Sequence, residues 1–236
     1  MNERGRQLVH TGRFDDVPLH QRAAYYCGGL LVLSGLFHGL VYVVDGGPWE
    51  GPVSWRKPVV FGLSFGITLV TLAWMLGFLR PRKAAAWVVL GVLIVASVGE
   101  VALVSMQKWR GVPSHFNEDT AFDGMVFSVM GMLVALIVLM TVVMAVWSFF
   151  RVDASASLAL AIRSGLVLLV SQMVGVQMIV EGGNTFGANG ALKMPHALTL
   201  HAIQMLPALA LCCRCQRRES VTGSGWWLSA QWAMRC

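Results

Sequence analysis

Residues 84–106 read AAAWVVLGVLIVASVGEVALVSM, an unbroken apolar run whose only charge is Glu100. As a helix rising 1.5 Å per residue, the run is about 34 Å long, enough to cross a hydrocarbon core roughly 30 Å thick. A carboxyl group in such a segment is costly, so it must be neutral, matched by a cation, or put to use. This stretch therefore predicts both a membrane fold and a buried polar site.

Five further apolar runs surround it, at residues 24–44, 59–79, 124–149, 158–180 and 195–213. Over the 236 residues, 56% are hydrophobic and only 13% charged, a composition that excludes an ordinary water-soluble domain. A helix satisfies its own backbone groups inside lipid, whereas a barrel would show alternating segments of about 10 residues, and no such alternation is present. The predicted fold is an all-α polytopic bundle of six transmembrane helices over residues 24–213. A polar segment, 1–23, precedes it, and a basic tail, 214–236, follows.

Positive charge orients the bundle. Six spans place Arg56, Lys57, Lys108, Arg110 and Lys193 on one side and the other 13 of the 18 basic residues on the opposite side. Basic loops resist translocation, so both termini are expected in the cytoplasm of a plasma membrane, a bacterial inner membrane by this reading. The net charge of +6 then marks orientation and a surface for anionic headgroups, and it does not call for nucleic acid. The largely polar start, with Glu3, Asp15 and Asp16, does not read as a cleavable targeting segment. Cys27, Cys212, Cys213 and Cys215 fall at expected cytoplasmic helix ends and Cys236 closes the tail, so free thiols are predicted. Trp226, Trp227 and Trp232 suit a tail lying along the membrane surface.

The two sets of loops differ. The cytoplasmic turns, such as residues 80–83, are short, whereas the outer ones, 45–58, 107–120 and 181–195, carry Gly, Pro and the segments Trp-Arg-Lys-Pro and Ser-His-Phe-Asn. Trp49, Trp55 and Trp109 belong at headgroup level. Arg56, Lys57, Lys108 and Arg110 stand on the side that disfavours cations and call for anionic partners. Glu50, Glu118, Asp119, Asp123 and Glu181 can supply these as ion pairs, and so can an anionic group on a ligand. His115 and Asn117 fit a turn entering the fourth span, with Thr120 or Asp123 as its cap.

Depth brings three ionisable side chains to one level. His38, Glu100 and His201 each lie about six residues, roughly 9 Å, inside the outer boundary of their runs. Gln177 lies slightly above that level, Gln172 slightly below it, and Gln204 about one turn beneath His201. Helical phase puts Ser34, His38, Tyr42 and Asp45 on one stripe, and Ser97, Glu100 and Gln107 on another. Ser64, Thr68 and Thr71 form a milder stripe, while Ser105 points away from Glu100 and is expected to bond its own backbone.

The expected site is therefore Glu100, His201 and His38 as an acid/base or ligand layer, with Arg56, Lys57, Gln107, Arg110, Gln177 and Gln204 around a substrate. An enzyme acting on a lipophilic or lipid-linked substrate suits this arrangement. The same three residues could hold zinc or iron as a two-histidine, one-carboxylate set, and His38 with His201 could ligate haem. A proton-coupled transporter of small solutes would use Glu100 for coupling, and a non-catalytic subunit would use the layer only for packing. No internal repeat or paired helix break favours the transporter. The partners expected are the lipid bilayer and a lipophilic or anionic small molecule.

Overall fold

A computed structural model describes residues 17–166, 185–186, 190–191 and 201–213. Four of its helices are long and apolar enough to cross a membrane: α1 (Leu19–Asp45), α2 (Arg56–Leu79), α3 (Lys83–Trp109) and α4 (Ala121–Phe150). They correspond to the first four expected spans. α5 (Ala156–Leu166) and α6 (His201–Cys213) are shorter apolar helices at the start of the fifth run and the end of the sixth. Residues 167–180 and 195–200 of those runs lie outside the described residues, as do residues 1–16 and the tail from 214. Between α5 and α6, β1 (Thr185–Phe186) pairs antiparallel with β2 (Gly190–Ala191).

The helix ends follow local chemistry. Pro18 precedes α1, whose terminal Gly46 takes φ 72° and donates its N–H to the Tyr42 carbonyl. Arg80, in the left-handed region at φ 44°, ends α2 just before Pro81. Thr120, one of the two caps that the sequence offers, caps α4 by accepting the Asp123 N–H at 3.1 Å. α1 begins five residues before the expected run at Ala24, because Gln21 is helical and buried. Its amide donates to the Ala73 carbonyl of α2 at 2.8 Å, so a polar side chain extends the helix contact.

α1 and α2 meet backbone to backbone. A Cβ built on Gly62 would lie 2.6 Å from the Gly35 nitrogen and 2.8 Å from the Leu31 carbonyl, and one on Gly66 would lie 2.6 Å from the Gly28 carbonyl. Only glycine permits this approach. The Gly62-x-x-x-Gly66 spacing supplies the small-residue seam by which membrane helices gain contact where water gives no hydrophobic drive.

α3 is the interior helix. Its buried positions, Ala86, Val89, Leu90, Leu93, Ala96, Ser97, Glu100, Val101, Val104 and Gln107, recur at helical spacing along its whole length. Ala86, Val89, Leu90, Leu93 and Val101 join a core with Leu69, Leu72, Met75, Leu76 and Leu79 of α2, Met144 of α4 and Ile162 and Leu166 of α5, while Val104 packs with Val126 and Met130 of α4. Wide apolar faces of α1 and α4, including Leu33, Leu40, Val146 and Phe149, remain exposed, as lipid-facing surfaces must. Ser64 and Thr71 satisfy their hydroxyls on the Phe61 and Ile67 carbonyls of their own helix. Ser105 does not, since its buried Oγ has no hydrogen-bond partner, which corrects the expectation of a bond to its own backbone.

The two ends of the bundle differ in chemistry. At the arginine end, Arg80 pairs with Asp153, whose N–H binds the Phe78 carbonyl, and Arg163 donates to the Ser148 carbonyl at 2.9 Å. These contacts join α2, α4 and α5. The tryptophan end carries the connections after α1 and α3, and the candidate site lies there.

Candidate functional site

The connection from α3 to α4 folds back over the end of the bundle and is held there by one buried carboxylate. Asp123, in the first turn of α4, accepts Gln107 Nε2 at 2.9 Å and Arg110 Nη1 at 2.6 Å on Oδ1, and Thr120 Oγ1 at 2.6 Å on Oδ2. Arg110 also donates to Gln107 Oε1 and sits over the Phe122 ring. Gln107 and Asp123 are both buried, so each donor of the network replaces water that neither can reach. Asn117 shapes the turn from within, donating to the Pro113 carbonyl and accepting the Asp119 N–H.

Held in this way, the loop carries His115 to Glu100. The Glu100 side chain is 0% exposed, neither of its oxygens accepts a hydrogen bond, and His115 Nε2 stands 3.8 Å from Oε1. The other ring nitrogen, Nδ1, lies 2.9 Å from Ser114 Oγ, which Lys57 Nζ approaches at 3.4 Å from the start of α2. Lys57, Ser114, His115 and Glu100 thus form a chain from the edge of the bundle to a sealed carboxyl. Phe61, Phe116 and Phe127 surround the imidazole. Burial among these rings, and secondly the Lys57 charge, push the His115 pKa down to about 4, so the ring is a neutral base near pH 7. Phe116, the next residue, takes φ 55°, a strained conformation for a bulky side chain and one that functional loops tend to retain.

His38 belongs to a different cluster. Its Nδ1 lies 2.7 Å from the Ser34 carbonyl, and its Nε2 accepts the Trp109 indole N–H at 3.1 Å. A carbonyl can only accept, so the ring is the neutral Nδ1–H tautomer with both nitrogens occupied. Phe37, Trp55 and Trp109 pack around it, and Lys108 lies 4.3 Å over the Trp55 ring. This is an aromatic anchor at the bundle end.

The expected layer of His38, Glu100 and His201 therefore does not close. Among the described residues no group of three His, Cys, Asp or Glu side chains could hold a metal, so those three do not form the metal set that their depth suggested. Equal depth fixes height along a helix but not direction, and His38 turns towards the tryptophans. His201 lies on an exposed face of α6, whose Gln204 donates to Thr68 Oγ1 at 2.8 Å. Gln177 lies outside the described residues.

The cations of the expected rim have protein partners. Arg56 faces Glu50 at 3.5 Å on the surface, Lys57 reaches Ser114, and Arg110 and Gln107 are committed to Asp123. His115 and Ser114, read from sequence as parts of a turn, are the residues that reading missed. The available signal was Glu100 itself: it needs a partner from the loops at its own end, where Arg56, Lys57, Lys108, Arg110 and His115 are among the ionisable donors.

No family model, curated protein or solved structure matches the chain.

Proposed function

We propose that this chain is a multi-pass plasma-membrane protein with six spans and cytoplasmic termini. The tryptophan end then faces outward, and Glu100 with His115 forms the acid–base pair of an enzyme acting on a lipophilic or lipid-linked substrate. The excess of arginine at the opposite end supports this orientation. The carrying observation is that Glu100 is completely buried, has no hydrogen bond and has an imidazole within 3.8 Å.

Burying a carboxyl without hydrogen bonds costs stability and contributes nothing to packing that a leucine would not. Selection for a fold alone would not place it there. Glu100 supplies a proton-accepting and proton-donating oxygen in an apolar setting, and His115 exchanges that proton with Ser114 and the bundle edge. Arg56, one-third exposed, would exchange its surface contact with Glu50 for the anionic headgroup of a substrate, while Gln107 and Arg110 act through the loop that they hold.

The test is infrared spectroscopy of the purified protein in lipid nanodiscs during transfer into heavy water. A carboxyl stretch absent from Glu100→Gln is expected to exchange its proton with bulk solvent, and His115→Ala should keep the band while slowing exchange about a hundredfold. Equal exchange rates with and without the imidazole would contradict the pairing.

A further inference from the structure

The geometry points to Ser114 as a nucleophile that takes an acyl group from a lipid ester, with His115 as its base and Glu100 on the far side of the ring. The inference rests on the acid–base reading and deepens it by naming the substrate class.

Three contacts carry the proposal. Ser114 Oγ lies 2.9 Å from His115 Nδ1, within reach for direct proton transfer. The opposite nitrogen, Nε2, lies 3.8 Å from Glu100 Oε1, so the imidazolium formed when Ser114 loses its proton has a carboxyl beside it. Lys57 Nζ approaches the same hydroxyl oxygen at 3.4 Å, where a cation favours negative charge on Oγ. Nucleophile and base are therefore in contact, and the Glu100 carboxyl faces the other ring nitrogen from just beyond hydrogen-bond range. A burial-lowered His115 pKa keeps the base unprotonated in neutral solution.

The position also suits an ester. The site lies at the end of the bundle that bears Trp49, Trp55 and Trp109, and indoles favour the interface between headgroups and acyl chains. Lipid ester carbonyls occupy that same boundary. Ser114 is 3% exposed, so a substrate reaches it only when part of the loop shifts.

Ser114 Oγ attacks the ester carbonyl carbon and its proton passes to His115 Nδ1. The bond from that carbon to the alcohol oxygen breaks, and the alcohol leaves with the proton from Nδ1. Water then attacks the acyl-serine, giving one proton to His115. The bond from the acyl carbon to Ser114 Oγ breaks, the carboxylic acid departs, and His115 returns the proton to Oγ to restore the serine hydroxyl.

The experiment uses the full chain in nanodiscs with a long-chain alkyl fluorophosphonate, which phosphonylates activated serines and releases fluoride. Intact mass is expected to show one adduct, and peptide mapping of the unmutated protein should place it on Ser114. Ser114→Ala should abolish the adduct, and His115→Ala should slow its formation by a factor on the order of 100 to 10,000. Mapping on the natural chain makes the assignment independent of whether a variant folds. No adduct, or an adduct mapped elsewhere, overturns the proposal. If Glu100 proton exchange still depends on His115 in that case, the nucleophile alone fails and the acid–base pair stands. If that dependence is absent too, both readings fall.

Discussion

Asp123 and Glu100 are both buried carboxyl residues near the same end of the bundle, yet their surroundings are opposite. Asp123 gathers three side-chain donors, from Gln107, Arg110 and Thr120, and closes a loop onto two helices. Glu100 has no hydrogen bond and a single imidazole just beyond hydrogen-bond range. The first is how a carboxylate is buried to hold structure, with both oxygens hydrogen-bonded. The second leaves bonding capacity unspent, which stability alone does not explain. The loop joining them links the two roles, since the contacts that satisfy Asp123 also deliver His115 to Glu100.

Removing Asp123 should have the largest effect. Asp123→Ala leaves Gln107 without its acceptor and Arg110 without its counter-charge, and the largest loss of stability among these variants is expected in reversible unfolding in mixed micelles. The same variant should slow Glu100 proton exchange, because His115 is no longer held. A stable variant with unchanged exchange would separate the clamp from the site.

His38 gives the next test. His38→Ala removes the acceptor of the Trp109 indole, for an expected cost of about 1 to 2 kcal/mol. It should leave Glu100 exchange untouched, whereas His115→Ala should do the reverse. An effect of His38→Ala on exchange would revive the site expected from depth alone.

pH sharpens the contrast. The His115 pKa is lowered from its ordinary 6.5 to about 4, so below 6.5 the unfolded chain takes up a proton that the folded ring refuses. Stability contributed at this position is therefore present above pH 6.5, falls as pH drops from 6.5 towards 4, and levels off below that. Replacing His115 by Ala should flatten that part of the stability profile. Lys57 disfavours the protonated ring and Glu100 faces it, so Lys57→Met should raise the lower end of the window.

The smallest effect on stability should come from Glu100→Gln, which keeps the shape of the side chain and makes no ion pair. A change within about 1 kcal/mol is expected from the same unfolding measurement. A loss as large as that of Asp123→Ala would make Glu100 a structural residue.

Sequence pattern carried the four long helices, because runs of about 20 apolar residues have one stable form in lipid. It also carried the shared face of Ser97, Glu100 and Gln107 and narrowed the cap of α4 to Thr120 or Asp123, both set by spacing within one helix. Contacts set by rotation between helices were not legible. Depth placed His38 level with Glu100, while packing turned it to Trp55 and Trp109. The return of His115 into the bundle depends on the Asp123 clamp, a tertiary contact between a helix turn and a loop. The seam of Gly28 and Gly35 against Gly62 and Gly66 lies between these cases, since Gly62-x-x-x-Gly66 is readable but its partner helix is not.

The pairing of Glu100 with His115 is tested most directly by magnetic resonance of the histidine ring nitrogens in isotope-labelled protein, with and without Glu100→Gln. The His115 nitrogens should shift and titrate differently in the variant, while those of His38, held by Ser34 and Trp109, should not move. A response from His38, with His115 unchanged, would contradict the pairing.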